Sequence, residues 1–207
     1  MTVDFSTIEP RSAYAWMASL ITPRPIAWVS TLSADGKTNL APFSFFTGVT
    51  SNPPPLLFVP VNDRHGQKKH TVLNIGETRE FVVNAVPFAL AEKMNACAAL
   101  LPRGESEFDA FGIAPAPSAV VRPPRVADAP AAFECRLEQI VPVGDGPSGA
   151  HIIIGRILSA HVSDAILGPD GKVDPLKLDA IGRLGGESYT RARELFEVAR
   201  PDRKRPA

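Results

Sequence analysis

Asn39-Leu40-Ala41-Pro42-Phe43-Ser44-Phe45-Phe46-Thr47-Gly48-Val49-Thr50-Ser51-Asn52-Pro53-Pro54 is the stretch whose reading decides the fold. It sets small polar residues beside aromatic ones on two extended segments joined by a tight corner. Proline has no backbone donor, so Pro42 interrupts the ladder of a regular central strand. A corner there leaves backbone N–H and C=O groups without sheet partners, and buried polar groups need partners. A flat heterocycle with carbonyls and ring nitrogens is one good partner, so the stretch points to a bound aromatic cofactor.

Working outward, extended segments dominate. Ile26–Leu32 reads as a strand, Ser33-Ala34-Asp35-Gly36 as a turn with Asp-Gly chemistry, and Thr38–Pro42 as the returning arm of a hairpin. Phe43–Val49 continues as a strand after the corner, and Pro55–Val61 is another. His70–Arg79 reads as a helix with Thr71 capping its first turn. Glu80–Asn84 is a strand and Phe88–Leu101 a helix stopped by Pro102-Arg103-Gly104. Ala132–Glu138 alternates strictly, with Phe133, Cys135 and Leu137 facing a core and Glu134, Arg136 and Glu138 facing away. Ala150–Val162 is a longer strand whose Ile152-Ile153-Ile154 centre suggests cover on both faces. A short helix lies within residues 1–20, residues 102–130 are irregular, and Arg200-Pro-Asp-Arg-Lys-Arg-Pro-Ala207 is a solvated basic end. Many strands, two interspersed helices and frequent turns argue for a mainly β fold, a β-barrel with helical additions, rather than a doubly wound sheet.

The composition agrees. The chain has 207 residues, of which 44% are apolar and 21 are proline, about twice the usual share. Lys plus Arg equals Asp plus Glu at 22 each, which argues against nucleic acid or an anionic membrane as partner. The start carries no signal-peptide pattern, and no apolar run is long enough to span a bilayer. Cys97 and Cys135 match no zinc spacing and read as reduced, buried thiols of a cytoplasmic protein.

Gly144-Asp145-Gly146-Pro147-Ser148-Gly149 matches G-x-G-x-x-G literally. A dinucleotide fingerprint needs a helix directly after it, but His151-Ile-Ile-Ile follows, and Pro147 removes a donor from the loop. The segment is a connection between two antiparallel strands. Arg64 to Asn74 is more informative. It brings Arg64, Lys68, Lys69 and Thr71 to a helix start, where free N–H groups and the helix dipole favour an anion. Alone it reads as a solvated loop; beside the 41–47 corner it reads as a phosphate site. Pro23 and Pro25 hold Arg24 extended, as a strand lead-in or as a presented phosphate or carbonyl ligand. His151 and Gly155 share a strand face, and Arg183-Leu184-Gly185-Gly186-Glu187-Ser188-Tyr189 is a compact loop with a cation and a phenol. There is no G-x-S-x-G elbow and no H-E-x-x-H pair, so nucleophilic and metal chemistry find no support. A reaction carried by a cofactor needs neither.

Taken together, these segments resemble the flavin reductase-like, FMN-binding split-barrel family, in particular its flavoredoxin-like branch. The resemblance rests on Pro23-Arg24-Pro25-Ile26-Ala27 with Val29-Ser30-Thr31, on Asn39 to Phe46, and on Ser51-Asn52-Pro53-Pro54. Lys69, Thr71 and Asn74 match a K-D-T-x-x-N phosphate segment. Phe81-Val82-Val83-Asn84, His151 with Gly155-Arg156, and Arg183-Leu184-Gly185-Gly186 with Tyr189 follow in order. His70 stands where the family usually has Asp.

The resemblance implies a six-stranded Greek-key split β-barrel, one domain over 1–207 with its core at about 13–189. It also implies a homodimer that holds FMN near the subunit interface. Ala41, Pro42, Phe43, Ser44, Phe45 and Phe46 would meet the isoalloxazine, and Lys69 and Thr71 the phosphate, with Arg24 or Arg64. Asn74 and Arg183 join the cofactor-binding set, and His151 and Tyr189 lie near the reacting face. The implied activity is hydride transfer from NADH or NADPH to flavin N5. Two alternatives stay open: a flavoredoxin-like electron-transfer protein that passes electrons from tightly bound FMN to a protein acceptor, and a non-catalytic flavin carrier or sensor.

Overall fold

The structure is a computed structural model, and residues 1–199 are described; the basic end Arg200–Ala207 lies outside them. The strands in chain order are β1 (Arg24–Pro25), β2 (Ala27–Leu32), β3 (Thr38–Phe43), β4 (Phe46–Gly48), β5 (Pro55–Phe58), β6 (Glu80–Asn84), β7 (Pro115–Ala116), β8 (Arg125–Val126), β9 (Ala131–Val143), β10 (Ala150–Val162), β11 (Ile181–Arg183) and β12 (Tyr189–Arg191). The helices are α1 (Pro10–Leu20), α2 (His70–Thr78), α3 (Ala91–Ala96), α4 (Glu107–Ala110) and α5 (Pro175–Leu178).

One antiparallel sheet carries the architecture, in the order β3-β2-β6-β9-β10-β5-β4. Its two outer strands, β3 and β4, are consecutive in the chain and separated only by Ser44 and Phe45. The sheet therefore curls until one bent segment forms both of its margins. Counted as one strand, β3–β4 gives the expected six-stranded barrel. The neighbours β6, β2, β3–β4 and β5 stand in the spatial order fourth, first, second, third, which is a Greek key.

The corner differs from its sequence reading. Pro42 lies inside β3, opposite Trp28, and the bend comes two residues later. It is tolerated because β3 is a margin. The Leu40 N–H is not given to a strand but to a carboxylate oxygen of Glu107, 2.7 Å away. A proline two residues further along the same margin forfeits no ladder bond.

The strands are buried by period two. Ala27 and Val29 of β2 join Leu56, Phe58, Phe81, Cys135 and Ile153 inside the barrel. Trp28 of the same strand faces an outer layer with Leu40, Met94, Cys97 and Phe108. Both faces of β2 are therefore covered, and its Ser30 and Thr31 are buried with its apolar residues. Helix α2 adds Ile75 to the inner cluster. Ile152 and Ile154 of β10 are only half-buried, whereas Ile153 points inward. The G-x-G-x-x-G look-alike is the β9–β10 connection, with a single 3-10 turn at Gly146–Ser148.

Several expectations need correction. Helix 88–101 shortens to a 3-10 turn at Phe88–Leu90 followed by α3. Strand 55–61 stops at Phe58. The first residue of α2 follows Lys69, so Thr71 is inside the helix and caps nothing. Glu134 does not face solvent. It is 2% exposed, and its two oxygens accept the backbone N–H groups of Ala119, Val120 and Val121. The irregular 102–130 segment folds over that face of β9 and needs a buried acceptor there. Gly155 leaves room for no ligand: a Cβ there would lie 2.2 Å from Cζ of Phe81, so the close approach it permits is that of a core ring.

Candidate active site

A cleft of about 470 Å³ opens beside the corner, within the usual range for small-molecule sites. One wall is the edge of β3 and the corner, from Asn39 and Ala41 to Phe45, with Tyr14 of α1. The opposite wall runs from Val59 and Val61 through Asp63 to the start of α2 at Gln67–Thr71. Residues Cys97–Arg103, after α3, and Glu107 complete it. The two walls are tied together: Asn39 Nδ2 donates to Thr71 Oγ1 at 3.1 Å, and both residues are buried.

The α2 end of the cleft suits an anion. No side chain caps the helix, so the N–H groups of His70 and Thr71 have no acceptor among the described residues. Lys68 and Lys69 line the cleft, and neither forms an ion pair among the described residues. The loop leading in is braced by Asp63, whose side chain accepts from the N–H groups of Gln67 and His65, each at 2.8 Å. Those bonds, the Gln67 one foremost, hold its carboxyl below the usual range. Burial, with Arg103 and Lys69 nearby, lowers the His70 pKa, so this ring is neutral at neutral pH.

The other end is apolar, with Phe43 and Phe45 on one side and Ala98–Leu101 on the other. Glu107 is 4% exposed, and burial raises its pKa. Cys97 is 1% exposed, and burial pushes its thiol up to about 12, so it is inert packing.

Of the residues singled out from the sequence, Ala41, Pro42, Phe43, Ser44, Phe45, Lys69 and Thr71 line this cleft together. The others sit elsewhere. The Arg24 guanidinium is buried and donates to the carbonyls of Ala18, Ile21 and Leu184, and at 3.4 Å to Ser44 Oγ. It positions the corner instead of presenting a free charge. Phe46 packs against the barrel interior. Arg64 turns to His65. Arg183 lies over the Tyr189 ring, 4.5 Å from its centroid, and the Tyr189 hydroxyl donates to Asn95 Oδ1. His151 is buried on β10 with Nδ1 unpartnered, outside the cleft; burial, then Lys68, lowers its pKa. Asn74 donates to Thr31 Oγ1 from within a second, smaller cavity.

Sequence reasoning assigned no role to Glu107, Tyr14 or the Cys97–Leu101 wall.

The family model described as "Flavin reductase like domain" matches residues 17–177. This chain belongs to the flavin reductase-like family. An uncharacterized protein of Aquifex aeolicus is 42% identical over 179 residues, 86% of this chain and 89% of that one. Among solved structures, nitrilotriacetate monooxygenase component B from Bacillus cereus superposes with a TM-score of 0.90 at 31% identity, covering 96% of this chain and 98% of that one. The 2-nitrobenzoate 2-nitroreductase NbaA of Pseudomonas fluorescens gives 0.85 at 29%, covering 97% and 96%. The flavin reductase-like chain thus shares its fold over nearly its whole length with oxidoreductase components. Among its described residues, no helix is long and apolar enough to cross a membrane.

Proposed function

We propose that the 470 Å³ cleft binds FMN and that the protein is an NAD(P)H-dependent flavin reductase. The observation that carries this reading is the uncapped start of α2, with Lys68 and Lys69, facing an aromatic-edged corner across one cleft. The residues fit the group end to end. The phosphate would cap α2, with Lys69 and the N–H groups as donors and Thr71 Oγ1 beside them. The ring system would lie along the backbone of Ala41–Phe45, where β3 has no neighbouring strand on its outer side. Phe43, Phe45 and the 98–101 wall exclude water from it. Flavin supplies the two-electron chemistry when bound; the chain supplies grip, orientation and a dry wall. Tyr14 is half-exposed at the mouth, and Leu20 at the end of α1 and Ile21 just after it are also open to solvent, which supports a second copy of the chain packing beside the cleft.

The test is titration of the purified protein with FMN, followed by flavin fluorescence, with NADH and NADPH oxidation measured in parallel. Lys69→Ala and Thr71→Ala should each weaken FMN binding, Lys69→Ala by about tenfold or more, the worth of one charge-assisted hydrogen bond. Nicotinamide oxidation no faster than with free FMN would sink the reductase reading. Tight FMN retention without such turnover would leave an electron-transfer role.

A further inference from the structure

The Arg24 guanidinium stands behind the corner. It is 4% exposed and makes four hydrogen bonds: to the carbonyls of Ala18 and Ile21 at the end of α1, to the Leu184 carbonyl at 2.9 Å and, through Nε, to Ser44 Oγ at 3.4 Å. Its central carbon lies 5.6 Å from the centroid of the Phe45 ring. Among the described residues no carboxylate pairs with it, and Arg183 nearby adds positive charge instead of cancelling it. Carbonyl dipoles satisfy its donors and offset its charge only in part. A buried charge of this kind is poorly screened by water and salt. Arg24 does not itself line the cleft, but Ser44 and Phe45 do. A serine hydroxyl has one proton to donate and lone pairs to accept with. Ser44 accepts from Arg24, and no described residue takes its proton. The oxygen is thus held by the buried cation, and the O–H donor is left for whatever lies along the Ala41–Phe45 wall.

We propose that Arg24 is an electrostatic positioning residue that acts through Ser44: it fixes and polarises a hydroxyl donor that favours the reduced, anionic flavin over the oxidised one. The inference rests on the flavin site argued above. Two electrons and one proton, delivered together by the nicotinamide, leave the ring with one added negative charge. Ser44 keeps its own proton and only donates a hydrogen bond to a ring acceptor whose negative charge has grown. A donor already held in place by a cation gains more from that charge than a freely turning one, because nothing has to reorient when the charge appears. The anion end of the cleft makes no such distinction, since the phosphate carries the same charge in both redox states.

The experiment measures the midpoint potential of FMN bound to the full chain, together with the dissociation constants of oxidised and reduced FMN. It compares the unaltered protein with Ser44→Ala, Arg24→Lys, Arg24→Met and the pair Ser44→Ala with Arg24→Met, using thermal melts to establish folding. Ser44→Ala should weaken reduced FMN about tenfold relative to oxidised FMN, which lowers the potential by about 30 mV. Arg24→Lys keeps the charge and loses the fork to the carbonyls. It should lower the thermal midpoint yet hold the ratio of the two affinities within about threefold. Arg24→Met should lower that ratio as Ser44→Ala does, and the pair should lower it no further, because one residue acts through the other. An unchanged ratio in Ser44→Ala would overturn the proposal. So would additive losses in the pair, or equal losses in Arg24→Lys and Arg24→Met, which would assign the effect to shape and not to charge. If Arg24→Met does not fold, Ser44→Ala and Arg24→Lys still decide. If FMN does not bind the unaltered protein, the failure belongs to the flavin site itself.

Discussion

Glu107 shows how much one side chain can decide. It sits below the cleft, terminates the free margin of β3 through the Leu40 N–H, and keeps a proton more readily than an exposed carboxylate because it is buried. Glu107→Gln keeps an acceptor for Leu40 and removes a charge that is costly to bury. It should leave the thermal midpoint at pH 7.5 unchanged or raise it. Glu107→Ala removes the acceptor, strands a buried donor and should cost about 1–3 kcal/mol. Equal destabilisation by the two substitutions would show that shape, not the bond, matters there. Such a residue is illegible in the sequence because its partner is 67 positions away. The opposite holds for the placement of Lys69 and Thr71, which follows from a helix start beside them in the chain and brings both to the cleft wall. Arg24 misled for a related reason: its two flanking prolines fix its backbone but say nothing of the three carbonyls that await its guanidinium.

At the scale of elements, local pattern served where a strand has one environment along its length. The Asp-Gly turn, the hairpin of β2 with β3 and the antiparallel pairing of β9 with β10 were readable from period and turn chemistry. It failed where an irregular segment covers a strand. In β9 the alternation places Glu134 on the face away from the barrel interior, and the 119–121 loop turns that face into an interior. Glu134→Ala should strand three N–H groups and lower stability by about 3 kcal/mol, read as a lower urea midpoint with unchanged slope. A shift below about 0.5 kcal/mol would mean that the loop finds other acceptors. The glycine of β10 makes a complementary case. Gly155→Ala should cost about 1–3 kcal/mol through overpacking against Phe81, and Phe81→Leu should recover part of the loss in the same background. Two independent, additive losses would contradict the proposed clash.

For the whole molecule, acid sensitivity follows from two histidines. His70 and His151 both have pKa values below the usual 6.5, chiefly because burial opposes their charged forms. Well above pH 6.5 both are neutral, folded or unfolded, and contribute no pH dependence. As pH falls below 6.5 the unfolded chain takes up protons that the folded chain refuses, so stability declines until the lowered folded values are passed. Glu107 works in the opposite sense nearer its own range, since its raised folded value favours the acid side. The urea midpoint should therefore be lower at pH 5.5 than at pH 7.5, and His70→Gln with His151→Gln should flatten that difference. An unchanged slope in the double variant would assign the acid loss to other groups.

The segment that bends at Ser44 and Phe45 has a consequence for anyone who cuts or rewires this chain. Because it supplies the first and the last strand of the closed sheet, a break between those two residues would expose two sticky strand flanks at once and dismantle one side of the ligand groove. Loss of ligand grip and onset of aggregation should then arrive together rather than in succession. New termini placed in the 144–149 connection would leave the bent margin whole, since that loop joins only the adjacent pair β9 and β10; their cost would fall on Asn62, which donates to the Gly146 and Gly149 carbonyls.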